Sequence, residues 1–224
     1  MEEKKKITRR QFLVTGASIL GASALCVGGA RFAIQEPEIE YTNSTCGQVE
    51  SKSKKVLVAY ATMAGSTGEI AGEIGNTLCG SGYMADVQRI EDIRDISGYQ
   101  AVVIGSAIHT NTWLPAAVDF VKTYRETLST MPVAYFTNSI TLAAQDAPEV
   151  RQQVDGFLDV VREEIPEVQP VGVEHFAGVL DLSKLPLAIR LIWPLTAGGK
   201  TKEGDYRNWD AIKGWAASLA STFA

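Results

Sequence analysis

Thr62, Ser66 and Thr67 put three hydroxyls into the short stretch ATMAGSTGEIA, with Gly65 among them. The run KVLVAYA (55–61) precedes it and is apolar almost throughout, as a strand covered on both faces requires. Beyond it, Ile70, Ala71, Ile74 and Leu78 recur at helical spacing over 66–80, and Gly80 and Gly82 end the pattern. The hydroxyls therefore fall where a strand hands over to the N-terminus of a helix. Free backbone N–H groups and the helix dipole favour an anion there, and Gly65 lets the backbone approach it closely. A hydrogen bond to a charged group contributes roughly 1.5–3 kcal/mol, so several together hold a phosphate monoester without a cation. Spacing alone leaves one alternative open, an ordinary Gly/Ser/Thr turn before a capped helix.

What the loop lacks narrows the chemistry. It has no lysine, so it is not the P-loop that cradles a nucleoside triphosphate, and it lacks the G-x-G-x-x-G dinucleotide fingerprint. No acidic residue follows the strand, as a receiver domain needs, and no cysteine nucleophile lies in the loop, as a phosphatase needs. Ser106 sits in IGSAI rather than in G-x-S-x-G, which argues against a serine hydrolase. The chain has two histidines. His109, after the third apolar run, is the candidate catalytic proton carrier, because imidazole changes charge near neutral pH; a solvated loop residue is the plainer reading. His175 lies inside a strand-like run and reads as structural. The three cysteines, Cys26, Cys46 and Cys79, show no C-x-x-C or Cys/His ligand spacing, so no metal site is expected. Cys46 and Cys79 read as two unrelated thiols, with a disulfide the alternative that an exported protein would allow.

Strands and helices alternate along the rest of the chain. Strand-like runs at 55–61, 83–90, 101–107, 131–138 and 171–180 are separated by helical patterns at 66–80, after 113, and at 147–163, and a last helix follows at 206–221 with Asp205 as its cap. Such alternation implies an α/β domain with a five-stranded parallel sheet between helical layers, and right-handed crossovers favour the order 2-1-3-4-5. The ligand crevice of that order lies outside the carboxyl ends of strands 1 and 3, which brings together the loops 62–67, 106–113 and 137–144.

The segments before the domain carry a different signal. Residues 1–30 have a basic start and then no charge between Arg10 and Arg31. TRRQFLV resembles the twin-arginine export signal, and Gly28 and Ala30 supply small residues for cleavage; an uncut membrane anchor is the other reading. Residues 31–53 read as a flexible linker, and 54–224 as the domain. Five basic residues against Glu2 and Glu3 give residues 1–30 a charge of +3, so the −5 of the whole chain leaves −8 beyond them. A domain that acidic is no partner for nucleic acid. The sequence assigns no oligomeric state.

YATMAGSTGEIAGEI resembles the FMN-phosphate signature of the flavodoxin-like family, with Tyr60, Thr62, Gly65, Thr67, Ala71 and Ile74 matching in order. Ala59 departs from it, being smaller than the usual hydrophobic residue. The likeness runs over roughly 55–222, and AVVIGSAIHTNTWLPAAVDFVK, MPVAYF and FAGVLDL resemble the branch that includes menaquinone-dependent protoporphyrinogen oxidases. The resemblance implies a flavodoxin-like three-layer sandwich and the cofactor FMN. Its phosphate would sit on Thr62, Met63, Ala64, Gly65, Ser66 and Thr67. Ser106, Ala107, Ile108, Thr110 and Asn111 would lie near the flavin edge, Trp113 would stack on the ring, and Asn138 and Ser139 would touch it from the next loop. It also implies a quinone or another redox partner and an oxidation of a porphyrinogen-like substrate. An electron carrier without its own substrate, or a flavin-free binding module, are the competing readings.

One further stretch is unusual. LSKLPLAIRLIWPLTAGG (182–199) is apolar from Leu185 to Leu195 except for Arg190, and is too short to span a bilayer. It reads as an insertion that lies on a membrane surface, with Trp193 at the interface and Lys184 and Arg190 near headgroups. Folding over the domain core or forming a dimer contact is the alternative.

Overall fold

The computed structural model describes residues 39–47, 54–185, 187–195 and 201–224. The export signal expected at 1–30 lies outside them, as do the linker residues 31–38 and 48–53.

The chain lays down β1 (Ser44–Cys46), β2 (Lys55–Ala61), α1 (Ser66–Gly80), β3 (Met84–Arg89), β4 (Ala101–His109) and β5 (Thr112–Trp113). There follow α2 (Pro115–Thr123), α3 (Arg125–Leu128), β6 (Val133–Ser139), α4 (Ile140–Ala144), α5 (Pro148–Gly156) and α6 (Asp159–Glu164). The last part holds β7 (Gly172–Ala177), β8 (Val179–Leu180), α7 (Leu187–Ile192), β9 (Gly204–Asp205) and α8 (Trp209–Thr222). The parallel strands run β3-β2-β4-β6-β7, which is the expected 2-1-3-4-5. Two features add to it: β1 pairs antiparallel with β3 at the edge, and β5 folds back on β4 as a hairpin.

Both faces of the sheet are covered, which is why the strands read as continuous apolar runs. Leu57, Ala59 and Ala61 of β2 enter one core, beneath α2 and α6. Val56, Val58 and Tyr60 enter the other, beneath α1 and α8. Ile70, Ala71, Ile74 and Leu78 of α1 are fully buried there, as their spacing predicts.

Four boundaries differ from expectation. The strand read over 171–180 ends at Ala177, and β8 pairs antiparallel with β9 in a separate two-stranded sheet. The helix predicted over 147–163 breaks into α5 and α6. Phe157 and Leu158, adjacent in sequence, enter two different apolar clusters, which one continuous helix face could not serve. The last helix begins at Trp209 with Asn208 as its cap, its side chain accepting from the Ala211 N–H, whereas Asp205 lies in β9. And the stretch read wholly as linker contributes β1.

That edge strand is tied down by more than its ladder. Thr45 donates to Asp86, Asn43 donates to Asp92 and accepts from the Arg89 N–H, and the Tyr41 ring lies beneath the Arg89 guanidinium. Cys46 is joined to Cys79, late in α1, by a disulfide that closes 33 residues. The two thiols are therefore not unrelated: β1 lays Cys46 beside the C-terminal turn of α1. A crosslink over a loop of that length removes unfolded-state entropy equivalent to about 3–4 kcal/mol. We expect reduction, or Cys46→Ser with Cys79→Ser, to lower the unfolding free energy by about 2–4 kcal/mol, read from urea titrations with and without reductant. An unchanged midpoint would mean that the crosslink carries no stability.

Candidate functional site

Gly65 sets the shape of the first loop. Its φ of 89° lies in the left-handed region that other residues rarely adopt, and a Cβ there would meet the Glu40 carbonyl oxygen and Ile39 Cγ2, both at 3.3 Å. Gly65 caps α1 without any side-chain bond to the first amides, which leaves the start of this 15-residue helix open to a ligand. The hydroxyls around it are anchored through their oxygens. Thr62 Oγ1 accepts from the Gly65 N–H at 3.0 Å, and Asn138 Nδ2 donates to Ser66 Oγ at 3.1 Å and to Thr67 Oγ1 at 3.0 Å. Arg207 steadies the same turn from outside, donating to Glu69 of α1 and to Asp205 while stacking on Trp209.

Beside this loop opens a cavity of about 220 Å³. Its walls are Thr62, Met63, Ala64 and Ser66 from the first loop, Ala107, Ile108 and His109 from the end of β4, and Asn138 from β6. Those eight were expected from the sequence. Ile140, Gly178, Val179, Leu180, Leu185 and Trp193 complete the lining and were not. Apart from its polar end by the hydroxyls, the chamber is apolar.

The remaining predicted residues stand elsewhere. Gly65 shapes the loop, and Thr67 is fully buried behind Ser66. Ser106 is buried too; its hydroxyl accepts from the Leu114 N–H and donates to the Ala107 carbonyl, closing the turn before α2. Thr110 and Asn111 form the exposed tip of the β4–β5 hairpin, both at positive φ. Ser139 accepts from the Thr141 N–H and so caps α4. Trp113, expected to stack on the ring, is instead 1% exposed, packs edge-on against Tyr135, and donates from Nε1 to Thr137. The β5 turn points it into the core. Trp193, expected at a membrane interface, is the indole that lines the cavity.

His109 is exposed at the cavity rim. His175 is a different case. Its ring lies beneath α5 and α6, 3.2 Å from Asp155, which also binds Arg162, while Glu174 and Arg151 stand nearby. Burial pushes the imidazole below its ordinary value of 6.5, outweighing the Asp155 carboxylate that pulls it upward. The folded state therefore disfavours the imidazolium. Stability is full above pH 6.5 and falls as the unfolded chain takes up a proton below it. We expect wild type to lose more stability than His175→Gln between pH 6.5 and 5, in urea titrations at each pH; parallel curves would contradict a neutral buried imidazole.

Comparison with known proteins identifies the family. A family model described as a flavodoxin domain matches residues 57–206. A curated relative, the protoporphyrinogen IX dehydrogenase [quinone] of Leishmania major, is 29% identical over 182 residues, covering 76% of this chain and 77% of the relative. Among solved structures, a flavodoxin from the domain Archaea is 18% identical with a TM-score of 0.44, covering 75% of this chain and 98% of its own. The two-electron reduced flavodoxin of Megasphaera elsdenii is 14% identical with a TM-score of 0.46, covering 74% and 98%. The chain belongs to the flavodoxin domain family.

Proposed function

We propose that this flavodoxin-family domain binds FMN and oxidises a reduced organic substrate, passing the electrons to a quinone. The observation that carries the reading is the continuity of the cavity: an anion-binding loop at one end opens directly into an apolar chamber roofed by Leu185 and Trp193. The residues present fit FMN. Thr62, Ser66, Thr67 and the open amides of α1 suit its phosphate, and the absence of a lysine is tolerable for a monoester. Ala107, Ile108, Ile140, Val179 and Trp193 supply apolar walls for a flat ring.

When bound, FMN supplies the two-electron chemistry. The chain's own residues hold and surround it. The first loop would hold the phosphate end, the apolar walls would exclude water, and His109 at the rim would supply or accept a proton during turnover. The printed name of the Leishmania relative supports a porphyrinogen-like substrate and a quinone acceptor.

A quinone acceptor favours contact with a bilayer, and the outer side of the inserted segment suits one. Leu191, Ile192 and Leu195 are 71%, 54% and 87% exposed, next to Arg190. Among the described residues no helix is long and apolar enough to cross a membrane, so this contact would be peripheral. The twin-arginine resemblance at TRRQFLV supports export, and the Cys46–Cys79 bond suits an oxidising compartment.

Three measurements bear on this. Titration of the domain with FMN should quench flavin fluorescence, and Ser66→Ala should weaken binding by roughly tenfold to a hundredfold; a protein that stays colourless in excess FMN has no such cofactor. Quinone-dependent oxidation of a porphyrinogen by the FMN-loaded protein separates an enzyme from an electron carrier, which would exchange electrons without turnover. Residues 39–224 should float with anionic liposomes, and Leu191→Ser with Leu195→Ser should abolish flotation; equal flotation of both proteins rules out contact through this patch.

A further inference from the structure

We infer that Asn138 is a positioning residue of the anion loop, holding Ser66 and the buried Thr67 by their oxygens so that the Ser66 hydroxyl proton remains for a phosphate. This rests on the reading that the loop holds the phosphate of FMN, and adds how the chain selects the phosphorylated flavin. Asn138 sits near the end of β6, 6% exposed, and its amide reaches Ser66 Oγ at 3.1 Å and Thr67 Oγ1 at 3.0 Å, about seventy residues back along the chain.

A hydroxyl has one proton and two lone pairs. Once one lone pair accepts an N–H, a second lone pair and the proton remain, and only the proton can bond an anion. The carboxamide carries two N–H groups and spends one on each hydroxyl, and the Gly65 N–H does the same for Thr62. All three hydroxyls are therefore held by their oxygens; Thr62 and Ser66, which line the cavity, face a ligand as donors, while the buried Thr67 fixes the turn.

The other end of the amide shows what this arrangement gives up. Asn138 Oδ1 is buried and has no hydrogen-bond partner among the described residues. It lies against Gly178, where a Cβ would come within 2.4 Å of it. An unsatisfied buried acceptor is unfavourable, and here it is tolerated because the donors face the loop. The absence of a side chain at Gly178 is what lets the amide lie in this position. An aspartate at 138 would do the reverse: its carboxylate would accept from both hydroxyls, consume their protons and add a negative charge beside the phosphate.

The test compares FMN with riboflavin, which lacks the phosphate, by fluorescence titration of wild type, Asn138→Leu, Asn138→Asp and Gly178→Ala. The readout is the ratio of the two affinities, with riboflavin binding and thermal unfolding reporting on the fold. Asn138→Leu should lower the FMN-to-riboflavin ratio by roughly fivefold to tenfold, and Asn138→Asp should lower it further. Gly178→Ala should lower it in the same direction, because its methyl displaces Oδ1 and with it both bonds. If all three variants keep the wild-type ratio, or if leucine and aspartate have equal effects, Asn138 is a packing residue and the inference is overturned. A wild type that binds neither flavin overturns both this inference and the cofactor reading; one that binds FMN while the variants keep its ratio overturns the inference alone.

Discussion

The start of α1 is a helix terminus left open by its own cap. Gly65 supplies the left-handed turn but no side chain to bond the first amides, so the partial positive charge of the helix end is left open on the side of the loop. Most of what surrounds it serves to hold that terminus still. β2 delivers the chain to it from a fully buried strand, and Arg207 ties the first helical turn to the segment before α8. On the outer side the backbone of residues 39–40 runs against Gly65, and the same segment continues into β1 and its disulfide to the far end of α1. The helix is thus fixed at both ends by one strap, crosslinked at its C-terminal turn and flanked at its N-terminal turn. An anion site depends on such rigidity, because donors that must be ordered at the moment of binding lose part of their benefit to entropy.

The sheet was legible because burial on both faces leaves a local mark. Val56–Ala61, Ala101–Ile104 and Val133–Phe136 are apolar whichever way a side chain points, and the helices between them repeat at helical spacing. Winding order followed from handedness, and with it the meeting of the first, third and fourth strand ends. The first loop was legible for a related reason: a strand, three hydroxyls, a glycine and a helix stand consecutively, so no tertiary information is needed to bring them together.

What escaped the sequence depends on contacts between distant segments. Trp113 and Trp193 are each a tryptophan beside a loop, and nothing local tells them apart. The two-residue strand β5 pairs with β4 and turns Trp113 inward, where Thr137 satisfies its N–H. Trp193 reaches the cavity only because the chain after β7 crosses back over the strand ends. The pairing of Cys46 with Cys79 needed the edge position of a three-residue strand, which is too short to show a period. The bonds of Asn138 to Ser66 and Thr67 join β6 to α1, and only the fold puts those groups within reach.

The inserted segment gives the site its second character. A loop that binds a phosphate needs only the first strand and helix, yet here residues 185–195 add an apolar roof with two unlike sides. Leu185 and Trp193 face the cavity, while Leu191, Ile192 and Leu195 face outward. The outward residues do not line the chamber and form an exposed apolar patch, which suits the membrane partner proposed for it. A wall only one short helix thick would then separate that partner from the ligand beneath it. That placement suits the proposed reaction, in which a hydrophobic acceptor would meet the cofactor at the edge of the sheet where the anion loop lies.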